Sequence, residues 1–198
     1  MKRRYITREY HILAANAPDD TLFFHREADR AGLVAAGMMD LTAGGILTLE
    51  GKKIHVDKEL PKDMAFLASL YTYVSEKPRT TDQVINAYMG PSKRMERFAA
   101  DTAASLADTG EEREGRICRL RDILLEDAAA DAAEVSCLRL LNRTGRLYDL
   151  FSKEETARAQ AGLKKLPADP DFEQWGKMID YAVDMSAIMA GLARVGLS

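Results

Sequence analysis

Residues 32–56 read GLVAAGMMDLTAGGILTLEGKKIHV, and this stretch decides the fold. Ala28, Ala31, Gly32, Ala35, Ala36 and Met39 fall along one side of its helical half and the segment leading into it. Small residues let another backbone approach closely, so a long apolar helix of this composition belongs at the centre of a bundle. Gly44-Gly45 ends it, because glycine accepts the left-handed conformation that closes a helix. Ile46–Glu50 and Lys53–Val56 then alternate around Glu50-Gly51-Lys52, which predicts a short β-hairpin near residues 46–56.

Outward from this joint the chain reads as helices. ITREYHILAAN (6–16) carries Ile6, Tyr10, Leu13 and Ala14 at helical spacing with Thr7 as N-cap, and Pro18-Asp19-Asp20 makes a turn. PKDMAFLASLYTYVSE (61–76) reads as one helix with Pro61 at its first turn, stopped by Pro78. A short helix capped by Thr80 or Thr81 follows, then a longer one over 91–110 closed by Gly110, and EEREGR (111–116) reads as a charged turn. AAEVSCLRLLNRTGRLYDLF (132–151) is helical with a break at Thr144-Gly145. Ser152 and Glu155 have the spacing of a capping box. The closing helix repeats Trp175, Met178, Ile179, Ala182, Val183, Ser186, Ile188 and Met189. The expected fold class is therefore mainly α, a multi-helix bundle with one short hairpin, in a single domain over 1–198.

The chain has 198 residues, enough to bury a core without disulfides or metals. Its composition is 46% hydrophobic and 30% charged, with a formal net charge of −3, whereas a dedicated nucleic-acid binder carries a basic domain. Cys118 and Cys137 form no disulfide framework or metal spacing and read as buried, reduced thiols. No apolar run approaches the ~20 residues that span a bilayer. The N-terminus has no signal-peptide core, since Arg8, Glu9, Tyr10 and His11 interrupt it. The expected location is cytoplasmic, at most peripheral to a membrane.

His11, His25 and His55 fall in three different elements with no second ligand at metal spacing, and no nucleophile motif or phosphate-cradling glycine loop is present. The chain is expected not to be an enzyme and to need no cofactor or metal. Basic residues cluster instead: Lys2, Arg3, Arg4 and Arg8; Lys52 and Lys53 on the hairpin; Lys93, Arg94 and Arg97; and Arg139, Arg143 and Arg146, which share a helix face unless Gly145 breaks it. A solvated face is the ordinary explanation of each, and anion binding, to nucleic-acid phosphates or lipid headgroups, the alternative.

Two functional classes meet these features. In the first, TTDQVINAYM and SKRMERFAADTAASLADTG are the paired helices of a winged-helix DNA-binding regulator, with Lys93, Arg94 and Arg97 at the start of the recognition helix. The acidic later half, AADTAASLAD, and the net charge oppose it. In the second, four segments in order resemble the Golgi phosphoprotein 3 family: ITREYHILAA, AGLVAAGMMDLTAGGILTLEGKKIHV, SLADTG and LLNRTGRLYDLF, followed by a charged helix and an Ala/Ile-rich closing helix. The resemblance implies a helical bundle that binds phosphatidylinositol 4-phosphate and acts as a peripheral membrane adaptor. The family's pocket tryptophan falls at His25, one pocket arginine at Val34, and the arginine pair near Ala99 to Thr102, with Arg94 and Arg97 a turn or more earlier. The family's membrane-inserting hairpin is shortened to EEREGRICRLRD. The candidate residues for an acidic lipid headgroup are therefore Lys93, Arg94 and Arg97 from the basic cluster, with His25 at the position the resemblance gives the pocket tryptophan. Its expected partners are anionic membrane lipids, with a protein partner or second copy of the chain beside them and nucleic acid not among them.

Overall fold

The computed structural model describes residues 4–14, 27–90, 92–106 and 113–195, without the side chains of 170, 171 and 186–195. The protein is mainly helical with one small antiparallel sheet. Helix α2 (Glu27–Ala43) is the axis, and every residue from Ala31 to Leu41 is buried. Its glycines set how closely neighbours approach. A Cβ on Gly32 would lie 2.2 Å from the Tyr10 hydroxyl, and one on Gly37 would lie 2.7 Å from a Leu70 methyl. Helix α1 (Ile6–Ala14) packs on α2 through Ile6, Tyr10, Leu13 and Ala14, all buried. On another side α2 meets α9 (Pro170–Val195), which contributes Trp175, Met178, Ile179 and Ala182 to the core. Val183, expected in that face, is 43% exposed.

The α2 helix closes as the glycine pair requires: Gly45 has φ +64°, and Ile46 donates its N–H to the Leu41 carbonyl at 2.9 Å. Strands β1 (Leu47–Glu50) and β2 (Lys53–Val56) then pair in the register Leu47–Val56 to Glu50–Lys53, with Gly51 at φ +61° in the turn. A third strand, β3 (Arg79–Thr80), adds to β2 through Lys53–Thr80 and Ile54–Arg79. Two residues are too few to display a period, so this strand has no sequence signal of its own.

Several local expectations are corrected. Thr7 does not cap α1; the cap is remote, since the buried Asp40 of α2 accepts the Ile6 and Thr7 N–H groups at 2.9 Å each, and the Thr7 hydroxyl as well. A carboxylate suits that position because it satisfies orphan donors and faces the positive helix end. Residues 61–76 are not one helix: a 3₁₀ segment over 62–67, irregular at Met64, leads into α3 (Ala68–Ser75). Thr80 caps α4 (Thr81–Tyr88) in a capping box with Gln83. Helix α5 (Lys93–Ala104) ends well before Gly110, which lies outside the described residues, as does the Pro18–Asp20 turn.

Arg113–Arg116 are not a turn but the start of α6 (Arg113–Leu125), whose apolar stripe is Ile117, Leu120, Ile123 and Leu124. Helix α7 (Ala132–Arg143) ends in Thr144-Gly145, Gly145 at φ +79°, and a 3₁₀ turn over 146–149 follows. Ser152 and Glu155 form the expected capping box of α8 (Lys153–Lys165). Of the two cysteines, Cys137 is buried and Cys118 is exposed on α6. No helix of the described residues is long and apolar enough to cross a membrane.

Candidate functional site

The periodicity of α5 sorts its side chains. Met95, Phe98, Ala99 and Thr102 face the core, which turns Lys93, Arg94 and Arg97 outward, all three exposed. Arg97 is 3.9 Å from Asp101 on its own helix, a solvent-screened pair. Arg94 lies with its guanidinium carbon 5.1 Å from the centre of the Tyr73 ring, and Arg79 lies over the same ring at 3.6 Å. Arg79 is fixed there, its Nε donating to the Tyr73 carbonyl at 2.6 Å and its Nη2 to Glu76 at 3.2 Å. Tyr73 meets Tyr88 edge-on at 5.7 Å, and Tyr88 meets Phe98 likewise at 6.2 Å. Burial pushes the Tyr88 hydroxyl pKa up, so it stays protonated.

Because β3 pairs with β2, Arg79 also sits beside the hairpin that carries the exposed Lys52 and Lys53. Lys52 is paired with Asp82 at 2.8 Å. The fold therefore brings β3 and α5 together on the Tyr73 ring through Arg79 and Arg94, with the hairpin alongside β3. Tyr73 and Arg79 had no part in the sequence reading. Arg79 is placed by strand pairing, and Tyr73 by the path of α3, and neither leaves a linear motif.

The other basic clusters fare differently. Lys2, Arg3 and His25 lie outside the described residues. Arg4 is paired with Glu9 at 3.5 Å, Asp131 at 3.1 Å and Glu134. Arg8 stacks on Phe66 at 4.4 Å and donates to the Ser105 hydroxyl. Both are thus engaged within the fold. Gly145 does break the arginine run of α7. Arg146 turns inward and donates through Nε and Nη2 to the wholly buried Asp29, at 2.9 and 2.7 Å, while Arg139 and Arg143 stay together beside Phe172. Val34, where the resemblance places one pocket arginine, is a core residue. Of Ala99 to Thr102, where it places the arginine pair, Ala99 and Thr102 are buried while Ala100 is exposed and Asp101 half-buried.

The buried ionisable groups do structural work. Burial drives the Glu9 carboxyl above its ordinary range despite Arg116 and Arg4. Burial also acts on Glu134, but its bonds to Arg119 and the Asp131 N–H, with the Arg4 charge, outweigh it and hold that carboxyl low. Burial lowers His11 to about 4. A cleft of about 420 Å³ beside α1 and α7 includes Asp40, Ser136 and Asp169 in its lining, and each is already hydrogen-bonded within the protein. Among the described residues no group of three or more His, Cys, Asp or Glu side chains could hold a metal ion. Compared with known proteins, the chain matches no protein-family model and no curated protein.

Proposed function

We propose that the protein is a non-enzymatic peripheral membrane or adaptor-like protein that associates with anionic lipid surfaces through the outward face of α5 and the neighbouring hairpin. The observation that carries this reading is the exposed set Lys93, Arg94 and Arg97, with Arg94 on the Tyr73 ring beside Arg79. Each cation close to an acidic leaflet contributes about 1 kcal/mol, so the three together hold the protein loosely, within a Debye length of about 8 Å. The resemblance to the Golgi phosphoprotein 3 family supports the same class of function. Headgroup selectivity of that family's kind has less support, because the matching positions, Val34 and Ala99 to Thr102, carry no arginine here. Binding without chemistry is supported by the use of the buried carboxylates: Asp40 caps a helix, Asp29 holds Arg146, and Glu134 closes a capping box.

Co-sedimentation with vesicles of phosphatidylcholine, alone or with phosphatidylserine or a phosphoinositide, across a salt series tests the reading. The expected result is salt-sensitive binding to any acidic vesicle, reduced about 100-fold when Lys93, Arg94 and Arg97 are all changed to glutamine. Preference for the phosphoinositide at equal charge would instead restore the family's full function. Indifference to every acidic vesicle removes the membrane reading and leaves a protein partner, or a second copy of the chain, as what it binds.

A further inference from the structure

Arg139, Asn142 and Arg143 of α7 line a cavity of about 360 Å³ completed by Leu163 of α8 and by Phe172 and Glu173 of α9. Its size is that of a small-molecule site. One helical turn separates the two arginines, so their guanidiniums share a face, both within 6 Å of the Phe172 ring centre at 5.9 and 5.8 Å. Each is anchored. Arg139 donates from Nη2 to the Leu166 and Pro167 carbonyls at 3.2 and 2.8 Å, and Arg143 donates from Nε at 2.8 Å and from Nη2 to Asp180. Gly176 makes room for the second anchor, since a Cβ there would lie 3.3 Å from the Arg143 Nη1 atom.

The anchoring leaves donors over. Among the described residues neither Nη1 atom nor the Asn142 amide nitrogen donates to protein, and the Arg139 Nε is buried with no hydrogen-bond partner. Asp180 is spent on Arg143, and Glu173 is an exposed acid at the rim that acts on Arg143 through its charge and makes no ion pair within 4 Å among the described residues. Unspent donors on guanidiniums already fixed in place call for an acceptor, and the planar fork of arginine matches carboxylate and phosphate oxygens. We propose that this cavity binds a small oxyanion, a phosphate or carboxylate group, received by Arg139, Arg143 and the Asn142 amide. Phe172 and Leu163 offer a wall for a short apolar body attached to it. Glu173 opposes the anion and sets its affinity low. The site shares no residue with the α5 surface and stands or falls separately from it.

Nuclear magnetic resonance titration of the full chain with sodium phosphate and with sodium acetate, at constant ionic strength, is the test. The expected result is saturable shifts at the Arg139 Nε–H, the Arg143 Nε–H and the Asn142 side-chain amide. Arg139→Gln weakens binding about tenfold. Glu173→Gln, an exposed change that leaves the core intact, strengthens it about threefold. Absence of saturation with both anions, or shifts that gather on α5 instead, overturns the proposal, as does a Glu173→Gln protein that binds no tighter. Vesicles containing phosphatidic acid identify the source: the same shifts on vesicles mark a lipid-borne phosphate, and shifts with free anions alone mark a soluble ligand.

Discussion

Asp29 and Arg146 meet inside the protein across 117 residues of sequence, and the pair shows what a buried charge demands. Removing one partner strands the other in a low-dielectric interior, whereas replacing both with apolar groups of like volume removes the demand. Arg146→Ala is therefore expected to cost about 3–5 kcal/mol in urea unfolding, and Asp29→Leu with Arg146→Met to recover most of that. A double variant as unstable as the single would mean that the pair stabilises the fold directly. His11 gives a pH dependence. Its folded pKa of about 4 lies below the ordinary 6.5, so between those values the unfolded chain binds the extra proton and stability rises with pH. A displacement of this size is worth up to about 3 kcal/mol. Glu134, held low, contributes stability that is lost as pH falls below 4.5, in the same sense, while Glu9, held high, acts oppositely above 4.5. His11→Gln should thus flatten the rise in Tm between pH 5 and about 6.5, and an unchanged slope would assign the dependence to other groups.

Between elements, α8 approaches the backbone of α6 closely at Gly162. A Cβ at Gly162 would lie 2.1 Å from the Leu124 carbonyl oxygen and 2.9 Å from its carbon, backbone atoms that cannot swing aside. Gly162→Ala should destabilise by about 1–3 kcal/mol despite alanine's better helix propensity, whereas Gly115→Ala on α6, where the new methyl meets nothing within 4 Å, should be neutral or stabilising. Equal melting points for the two variants would contradict this helix contact. By sequence EEREGR reads as a turn and EEREGRICRLRD as a shortened hairpin, and the charges hide the Ile117, Leu120, Ile123 and Leu124 stripe that makes α6 a helix. The legible parts were those carried by local chemistry: the apolar run of α2, the glycine pair, the hairpin and the capping box at Ser152. What the sequence hid depends on distant partners. Asp40 caps α1 from 33 or 34 residues away, and β3 exists only because β2 offers it an edge. The candidate surface divides in the same way. The outward set of Lys93, Arg94 and Arg97 follows from α5 periodicity, but Arg79 and Tyr73 come to it through tertiary pairing, and Arg4 and Arg8 are withdrawn from the basic clusters by partners no spacing could reveal.

At the scale of the whole molecule, net charge supports the proposed lipid surface over a nucleic acid. The chain carries a net −3, so its long-range field repels a polyanion that surrounds it, while one basic face can still lie flat on an acidic leaflet. The helices proposed for DNA reading are α4 and α5, and α5 offers three exposed cations, one of them near its own Asp101. With the three α5 cations alone neutralising phosphates, the slope of log affinity against log salt is about −2.7, against values several times steeper for dedicated DNA binders. Duplex DNA of mixed sequence is therefore expected to give no saturable change in fluorescence anisotropy below about 10 µM protein near 150 mM salt. The same Lys93, Arg94 and Arg97 glutamine variant that releases vesicles should leave this baseline unmoved. Submicromolar duplex binding with a steep salt slope would reverse the assignment, because only additional cations reaching the phosphates could supply it. In that event the basic hairpin beside α4 would be the wing, and Lys52 and Lys53 the next residues to neutralise.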